Sequence, residues 1–464
     1  MKLGITKEAA ANRSCQKKVG CAKKSLKRVN RLMPKIGRYL EKNGNWIFAF
    51  YTPNIRVPQT TLSFAVVASL NGVHMFTKSQ SAVLHSTTTK ESTVVWRDFE
   101  SSLTLIGAVT GVPEIAIYNL LGVVFDAMVL MVGIEELKEI RNVDRLKRNI
   151  RFCSPPKVCF PLIDRLLESI KPEGKMGASN DLVGLTEVIL CHENHLLQGI
   201  LDTYAEAIDS MYGCLLIHGK IAVATSGWWS LTPVERSLLS LLASVENLAT
   251  LQDIPIFLPH KSPNVPFRLV TCRLLPWAEV LVLCGPKPSL QDVERIAIQS
   301  WRLGNETLRA ANVHCPTPRN IPSSLMIDGG ILGFLLVDEN LGKFMLSTNV
   351  LGDGAAHGDV VSHPVSEAHR KMVLRTFYWQ ISSTFMPSSV KSPDEETQNV
   401  SSIRECPPRA LESYWCSEYH KCHAMQLGSN QIFVLYSAAV PTPTMRVLSR
   451  NTLKMIVNDK QLCW

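Results

Sequence analysis

The same order of hydrophobic periodicities runs along this chain three times. In the first instance Leu62–Phe76 reads as a helix, and alternating stretches follow at Ser81–Ser86, Thr93–Phe99 and Leu103–Val109. Two helical segments, Glu114–Leu137 and Asn142–Ile170, close that unit. The second opens with a helix at Leu196–Met211 and a hairpin of Gly213–Ile217 and Ile221–Thr225. A helix then starts at Thr232-Pro233-Val234-Glu235, where Thr232 caps, Pro233 suits the first turn and Glu235 completes a capping box. Strands at Ile254–Leu258, Phe267–Leu275 and Glu279–Cys284 and a helix over Leu290–Ala311 finish it. The third has a hairpin of Ile331–Val337 and Lys343–Thr348 and a helix at Ser366–Phe385. Strands near Ser413–Cys416, His420–Leu427 and Gln431–Tyr436 and a helix at Thr444–Val457 follow. Each unit predicts a mostly antiparallel five-stranded sheet covered by helices, an α/β (α+β) sandwich. The expected domains are 61–175, 176–320 and 321–464, with a polar Pro/Ser-rich flexible loop over 386–408.

Charge changes the picture at one end only. The 464 residues carry a formal charge of +9. Residues 1–60 alone hold 14 Lys or Arg against two acids, +12, which leaves −3 for the remainder. That stretch is expected to be a basic extension. Between Lys17 and Lys42 apolar residues recur at helical spacing, interrupted at Pro34, with Lys17, Lys18, Lys23, Lys24, Lys27, Arg28 and Arg31 opposite them. Such a face suits an anionic membrane surface, or is a solvated extension. The most apolar run, Ile117–Ile134, contains Asp126 and reads as a buried helix rather than a membrane span. Thirteen cysteines without a secretory leader point to reduced thiols in a cytoplasmic protein.

Candidate chemistry is thin. No phosphate-binding loop is present: Gly285-Pro286-Lys287 lacks the upstream glycines, and Gly352, Gly354 and Gly358 miss the dinucleotide spacing by one residue. His192-Glu193-Asn194-His195 is one residue short of a zinc-protease motif. Cys416, His420, Cys422 and His423 have metal-ligand chemistry, but their spacing suits strand residues that alternate between faces. Trp228-Trp229 reads as a strand end with one ring in the core and one between domains. No catalytic residue, cofactor or metal is predicted, and nucleic acid is not expected as a partner.

Several long stretches stand out: SLNGVHMF at Ser69–Phe76, TVVWRDFESSLTLI at Thr93–Ile106 and FDAMVLMVGIEELKEIRNVDRLKRNI at Phe125–Ile150. GKIAVATSGWWSL at Gly219–Leu231, LPHKSPNVPFRLVT at Leu258–Thr271 and LCGPKPSL at Leu283–Leu290 join them. Together these stretches resemble the Fuzzy family of planar cell polarity effectors. The likeness is read from Leu62 onward and weakens after Val350. It implies three tandem longin domains, the first lacking its usual N-terminal hairpin unless Trp46–Tyr51 supplies a strand. CSPPKVC at Cys153–Cys159 looks inserted into a helix.

The resemblance also implies pairing with the longin protein Inturned, and a ciliogenesis and planar polarity effector complex with the WD-repeat protein Fritz. That complex recruits a Rem/Rab-similar small GTPase and intraflagellar transport cargo at the cilium basal body, within the cytoskeleton. A share in guanine-nucleotide exchange on a Rab-family GTPase follows from the likeness to longin heterodimers in vesicle trafficking. Exchange needs differential binding and no covalent step. Asn71 and His74 on the first helix are the expected partner surface.

Overall fold

The computed structural model describes residues 39–42, 45–52, 64–89, 92–100, 103–109, 114–138, 159–168, 184–245, 251–317, 319–348, 366–386, 410–417 and 419–464. It falls into two compact units, 1–121 and 122–464.

The first unit holds one five-stranded sheet. Its strands are β1 (Tyr39–Lys42), β2 (Asn45–Thr52), β3 (Ser86–Thr88), β4 (Thr93–Phe99) and β5 (Leu103–Val109), in the order β1-β2-β5-β4-β3. The β1–β2 hairpin corrects two expectations. The first domain has its N-terminal hairpin, and residues 39–52 belong to a sheet instead of a basic extension. β2 runs parallel to β5 from Trp46↔Leu103 to Thr52↔Val109, so the strand suspected at Trp46–Tyr51 is an interior one. Helix α1 is Phe64–Ser79 and α2 is Glu114–Val132. Gly107 on β5 lies under Ile117 and Leu121 of α2, where a Cβ would come within 2.8 Å of Ile117. Any side chain at this position would have to push Ile117 aside, so glycine lets helix and sheet approach closely.

α2 is the one helix among the described residues long and apolar enough to cross a membrane, and most of it is buried. Its Asp126 has a partner: His260 Nε2 lies 3.4 Å from Asp126 Oδ2. Gly133, at φ +81°, ends α2 and turns the chain into α3 (Ile134–Lys138), with the Phe257 ring against it. The expected continuous helix to Leu137 is thus broken at a left-handed glycine. Helix α4 is Cys159–Glu168; the predicted Asn142–Ile170 segment otherwise lies outside the described residues, as does Pro155-Pro156.

The second domain orders its strands β8-β7-β11-β10-β9: β7 (Gly213–Ile217), β8 (Lys220–Ala224), β9 (Leu251–Leu258), β10 (Ser262–Leu275) and β11 (Ala278–Cys284). One face is covered by α5 (Asn194–Ala207), α8 (Leu290–Trp301) and α9 (Asn305–His314). Leu197, Leu201, Tyr204, Val293 and Trp301 interlock there with Leu215, Val270 and Val280. Each such side chain contributes about 1.5–3 kcal/mol by leaving water. The single helix expected over Leu290–Ala311 is interrupted at Leu303-Gly304, where a Cβ on Gly304 would touch Ile200 and Trp301. Helix α7 (Pro233–Val245) turns Leu238, Leu239 and Leu242 inward and packs against α4. Its capping box forms: Thr232 N–H donates to Glu235 Oε2 at 3.0 Å, and Glu235 N–H donates to Thr232 Oγ1 at 3.3 Å. Buried Glu235 also accepts the His260 and Lys261 amides on Oε1, so helix start and β9–β10 turn share one carboxylate.

The third sheet has the order β14-β15-β16-β12-β13-β6. Its strands are β12 (Ile331–Asp338), β13 (Lys343–Ser347), β14 (Glu412–Cys416), β15 (His420–Leu427) and β16 (Asn430–Ser437). Helix α10 (Glu367–Thr384) buries Leu374, Phe377 and Ile381 on one face, and α11 (Thr442–Asn458) covers the other. The sixth strand, β6 (Thr186–Glu187), comes from the range expected for the second domain. It runs parallel to β13, with Val188 N–H donating to Phe344 O, while Ile189 N–H donates to Ile221 O on β8. One extended stretch thereby pairs with the edge strands of two sheets at once. The predicted loop beyond Met386 lies outside the described residues.

Candidate functional site

The sequence offers chemical clusters and a partner surface, and the fold places those that fall among the described residues. Cys416 ends β14 at the surface, Cys422 points into the core under α10, and His423 points the opposite way. His423 Nδ1 lies 2.7 Å from Ser449 Oγ on α11, and the Tyr436 hydroxyl lies 2.7 Å from the same oxygen. Burial holds His423 neutral, its pKa pushed down to about 4. With Ser449 and His423 at 0% exposure, this serine–histidine pair reaches no substrate and instead pins α11 to the sheet.

His192 and His195 do not converge on a ligand position. His195 Nδ1 folds back on His192 O at 2.8 Å. His192 lies 3.5 Å from both Ser324 Oγ and Asp459 Oδ2. Those distances exceed the ~2.6–3.2 Å of an activated nucleophile and its base. Glu193 pairs instead with His314 at 2.6 Å. Among the described residues no group of three His, Cys, Asp or Glu side chains could hold a metal.

Gly285-Pro286-Lys287 presents the wrong polarity for phosphate. The Arg268 guanidinium, held by Asp253 at 2.6 Å, takes the carbonyls of Gly285, Pro286 and Pro288. The loop is thus built around a cation, whereas a phosphate cradle aims N–H groups at an anion. Gly352, Gly354 and Gly358, and the basic residues Lys17, Lys18, Lys23, Lys24, Lys27, Arg28 and Arg31, lie outside the described residues.

Asn71 and His74 are corrected as a partner surface. They are 4% and 5% exposed, because their positions on α1 face the sheet. His74 Nε2 lies 3.2 Å from Asp98 Oδ1 on β4. Asp98 also takes Lys78 at 3.2 Å and the Thr104 hydroxyl at 2.6 Å. Burial pulls that carboxyl upward, but Thr104, His74 and Lys78 together hold it below its ordinary value. The outward positions on α1 are one step away: Gly72, Val73 at 51% and Phe76 at 66% exposure. They fall at the three- and four-residue spacing of one helix face. Sequence alone could not tell the two faces apart, since apolar and polar residues occur on both.

Trp228 and Trp229 belong to a short helix, α6 (Ser226–Trp229), and not to a strand end. Thr225 caps it, its hydroxyl accepting Trp228 N–H at 3.3 Å, and a Cβ on Gly227 would strike the Met211 carbonyl. Trp228 is buried in the second domain. Trp229 carries two cations on its ring, Arg236 at 4.8 Å and Lys343 at 5.4 Å. Lys343 begins β13, so Trp229 marks the joint of the second and third domains. Arg236 donates to Leu341 O there, Thr186 Oγ1 donates to Pro233 O at 3.2 Å, and Asn320 Nδ2 donates to Leu346 O at 2.7 Å. Burial depresses both cations, Arg236 to about 10 and Lys343 to about 8.

Comparisons with known proteins agree with this three-sheet architecture. The chain matches the first longin domain of FUZ, MON1 and HPS1 over residues 39–166, the second over 208–302 and the third over 330–460. The match starts at the β1–β2 hairpin, ahead of the Leu62 limit read from the sequence, and it runs on past Val350 as that reading, which extends to the C-terminus, expects. The chain is 34% identical over 413 residues to the protein fuzzy homolog of Xenopus tropicalis, covering 86% of this chain and 92% of that one. To the protein fuzzy homolog of Homo sapiens it is 36% identical over 400 residues, covering 84% and 90%. The Mus musculus homolog is 33% identical over 399 residues, covering 85% and 90%.

Proposed function

The chain belongs to the Fuzzy family of triple-longin proteins, and on that footing we propose that it is a planar cell polarity effector and scaffold in cilium biogenesis. In this reading it pairs with Inturned, joins Fritz in a ciliogenesis and planar polarity effector complex, and recruits a Rem/Rab-similar GTPase and intraflagellar transport cargo. It acts in the cytoplasm at the basal body and contributes binding surface, without covalent chemistry, to nucleotide exchange on a Rab-family GTPase. The likeness across all three domains carries the reading. Of the Ser, His and Cys clusters, the buried members Cys422, His423 and Ser449 serve packing, which is compatible with it. The apolar face of α1 around Val73 and Phe76 is the surface on which such a protein would take a partner. Co-purification of the full chain with Inturned, followed by nucleotide release from a Rab, tests the proposal. Complex formation and faster release are expected, and failure to form any complex would sink it.

The +12 charge of residues 1–60 favours a second reading, a peripheral membrane-trafficking adaptor docked on anionic lipid. Flotation with anionic vesicles, with and without residues 1–38, separates the two. Binding that survives the deletion removes the basic segment from the account.

A further inference from the structure

Beyond α11 the chain turns back along the joint between the second and third domains. Asp459 Oδ2 lies 3.5 Å from His192 Nε2 at the entry to α5, on the second domain. Leu462 is fully buried. Trp464 Nε1 donates to Asn430 Oδ1 at 2.8 Å, and its ring sits 4.5 Å from Lys343 Nζ. Residues Asp459–Trp464 therefore touch both domains within six residues.

Lys343 is the unusual group under this strap. It is 4% exposed and no described carboxylate pairs with it directly. The nearby Asp338 carboxylate accepts the Asn340 and Leu341 amides at 3.0 and 3.2 Å, and Glu235 is occupied by its own cap and the β9–β10 turn. What surrounds the ammonium instead is Trp229 at 5.4 Å and Trp464 at 4.5 Å. Asp338, its cross-strand neighbour, favours the charge from a distance without pairing with it, so the buried ammonium still pushes toward water, and indole faces offset only part of that cost.

We propose that Asp459–Trp464 is a latch and Lys343 the spring beneath it. With the strap seated, Trp464 covers the ammonium and the two domains act as one body. With the strap displaced, solvation of Lys343 drives β13 away from Trp229 and opens the pairing of β6 with β13.

Hydrogen exchange on the full chain tests this. Trp464→Ala should speed exchange of the amides at the stitch, such as Val188, by roughly thirtyfold, the size of a desolvated cation–π contact. The β10–β11 amides should keep their rates. In a Lys343→Met background the same Trp464→Ala change should have little effect, because the spring is gone. An unchanged rate at Val188 overturns the latch, and so does a uniform rise across both sheets. An equal rise with and without Lys343 overturns the spring, since Trp464 would then act by packing alone. Should Trp464→Ala fail to fold, Asp459→Asn releases the other end of the strap; a smaller rise at the same amides supports the proposal and no rise overturns it.

Discussion

The joint between the second and third domains and the outer face of α1 are built from similar parts and finished in opposite ways. At the joint, apolar and charged groups are covered: Trp229 takes two cations, Asn320 bridges to Leu346, and the Leu185–Leu190 stretch pairs with β8 and β13. On α1, Val73 and Phe76 stand exposed although their helix packs its other side normally. The first is a completed interface and the second has the composition of one awaiting completion. The difference separates what substitution should do at each: lost stability at the joint, lost partners at α1.

The largest effect is expected at Gly342. Its φ of +58° already excludes most side chains, and a Cβ would overlap Pro233. Gly342→Val should cost roughly 3 kcal/mol from strain and overpacking together. An unchanged unfolding midpoint would show that the joint is not tightly closed. Next is Asn320→Ala, which removes the donor to Leu346 O and places alanine at φ +60°. A loss of about 1–3 kcal/mol is expected by the same measurement.

The pH dependence sharpens the contrast. Burial lowers the folded pKa of Lys343 to about 8, against 10.5 for the free side chain. Between those values the unfolded chain binds more protons, so stability should rise with pH from about 8 to 10.5. Chemical denaturation across that window should show the rise, and Lys343→Met should flatten it. His260 has the opposite sign. Hydrogen bonding to Asp126 raises its pKa, so its contribution is present at acid pH and fades as pH climbs through the raised value. Asp126→Asn should remove that acid-side increment, and because His260 is half exposed the change should stay below about 1 kcal/mol. Smallest of all in stability is Val73→Glu with Phe76→Glu, within about 0.5 kcal/mol per site. If the proposed pairing with Inturned forms, its loss in this folded double variant would mark the face as a docking surface; full capture would remove it.

Most of the sandwich architecture was legible because strands such as Gly213–Ile217 and His420–Leu427 carry local periodicity and sharp turns. What escaped notice depended on partners far away in sequence. β6 is two residues long and has no periodicity of its own; only β13 makes it a strand. The β1–β2 hairpin lies beside a charge run that masked its alternation. The burial of Asn71 and His74 is not legible locally, because polarity alone does not reveal that Asp98 waits on the facing strand for His74. For Trp228-Trp229 the local signal is present, since Thr225 before Ser-Gly is a helix cap, but the preceding strand periodicity outweighs it.

The stretch that joins the two sheets also sets an order of synthesis. Val188 leaves the ribosome long before Phe344 is made, so its amide can find Phe344 O only after the second domain and the β12–β13 hairpin have emerged. A chain cut short between Asn320 and Lys343 would keep the Leu185–Leu190 strand paired on its β8 side alone. Its other edge would remain an unsatisfied template for pairing with another nascent chain. Premature termination in that interval is therefore expected to yield aggregation-prone product that quality control removes, and not a stable two-domain fragment.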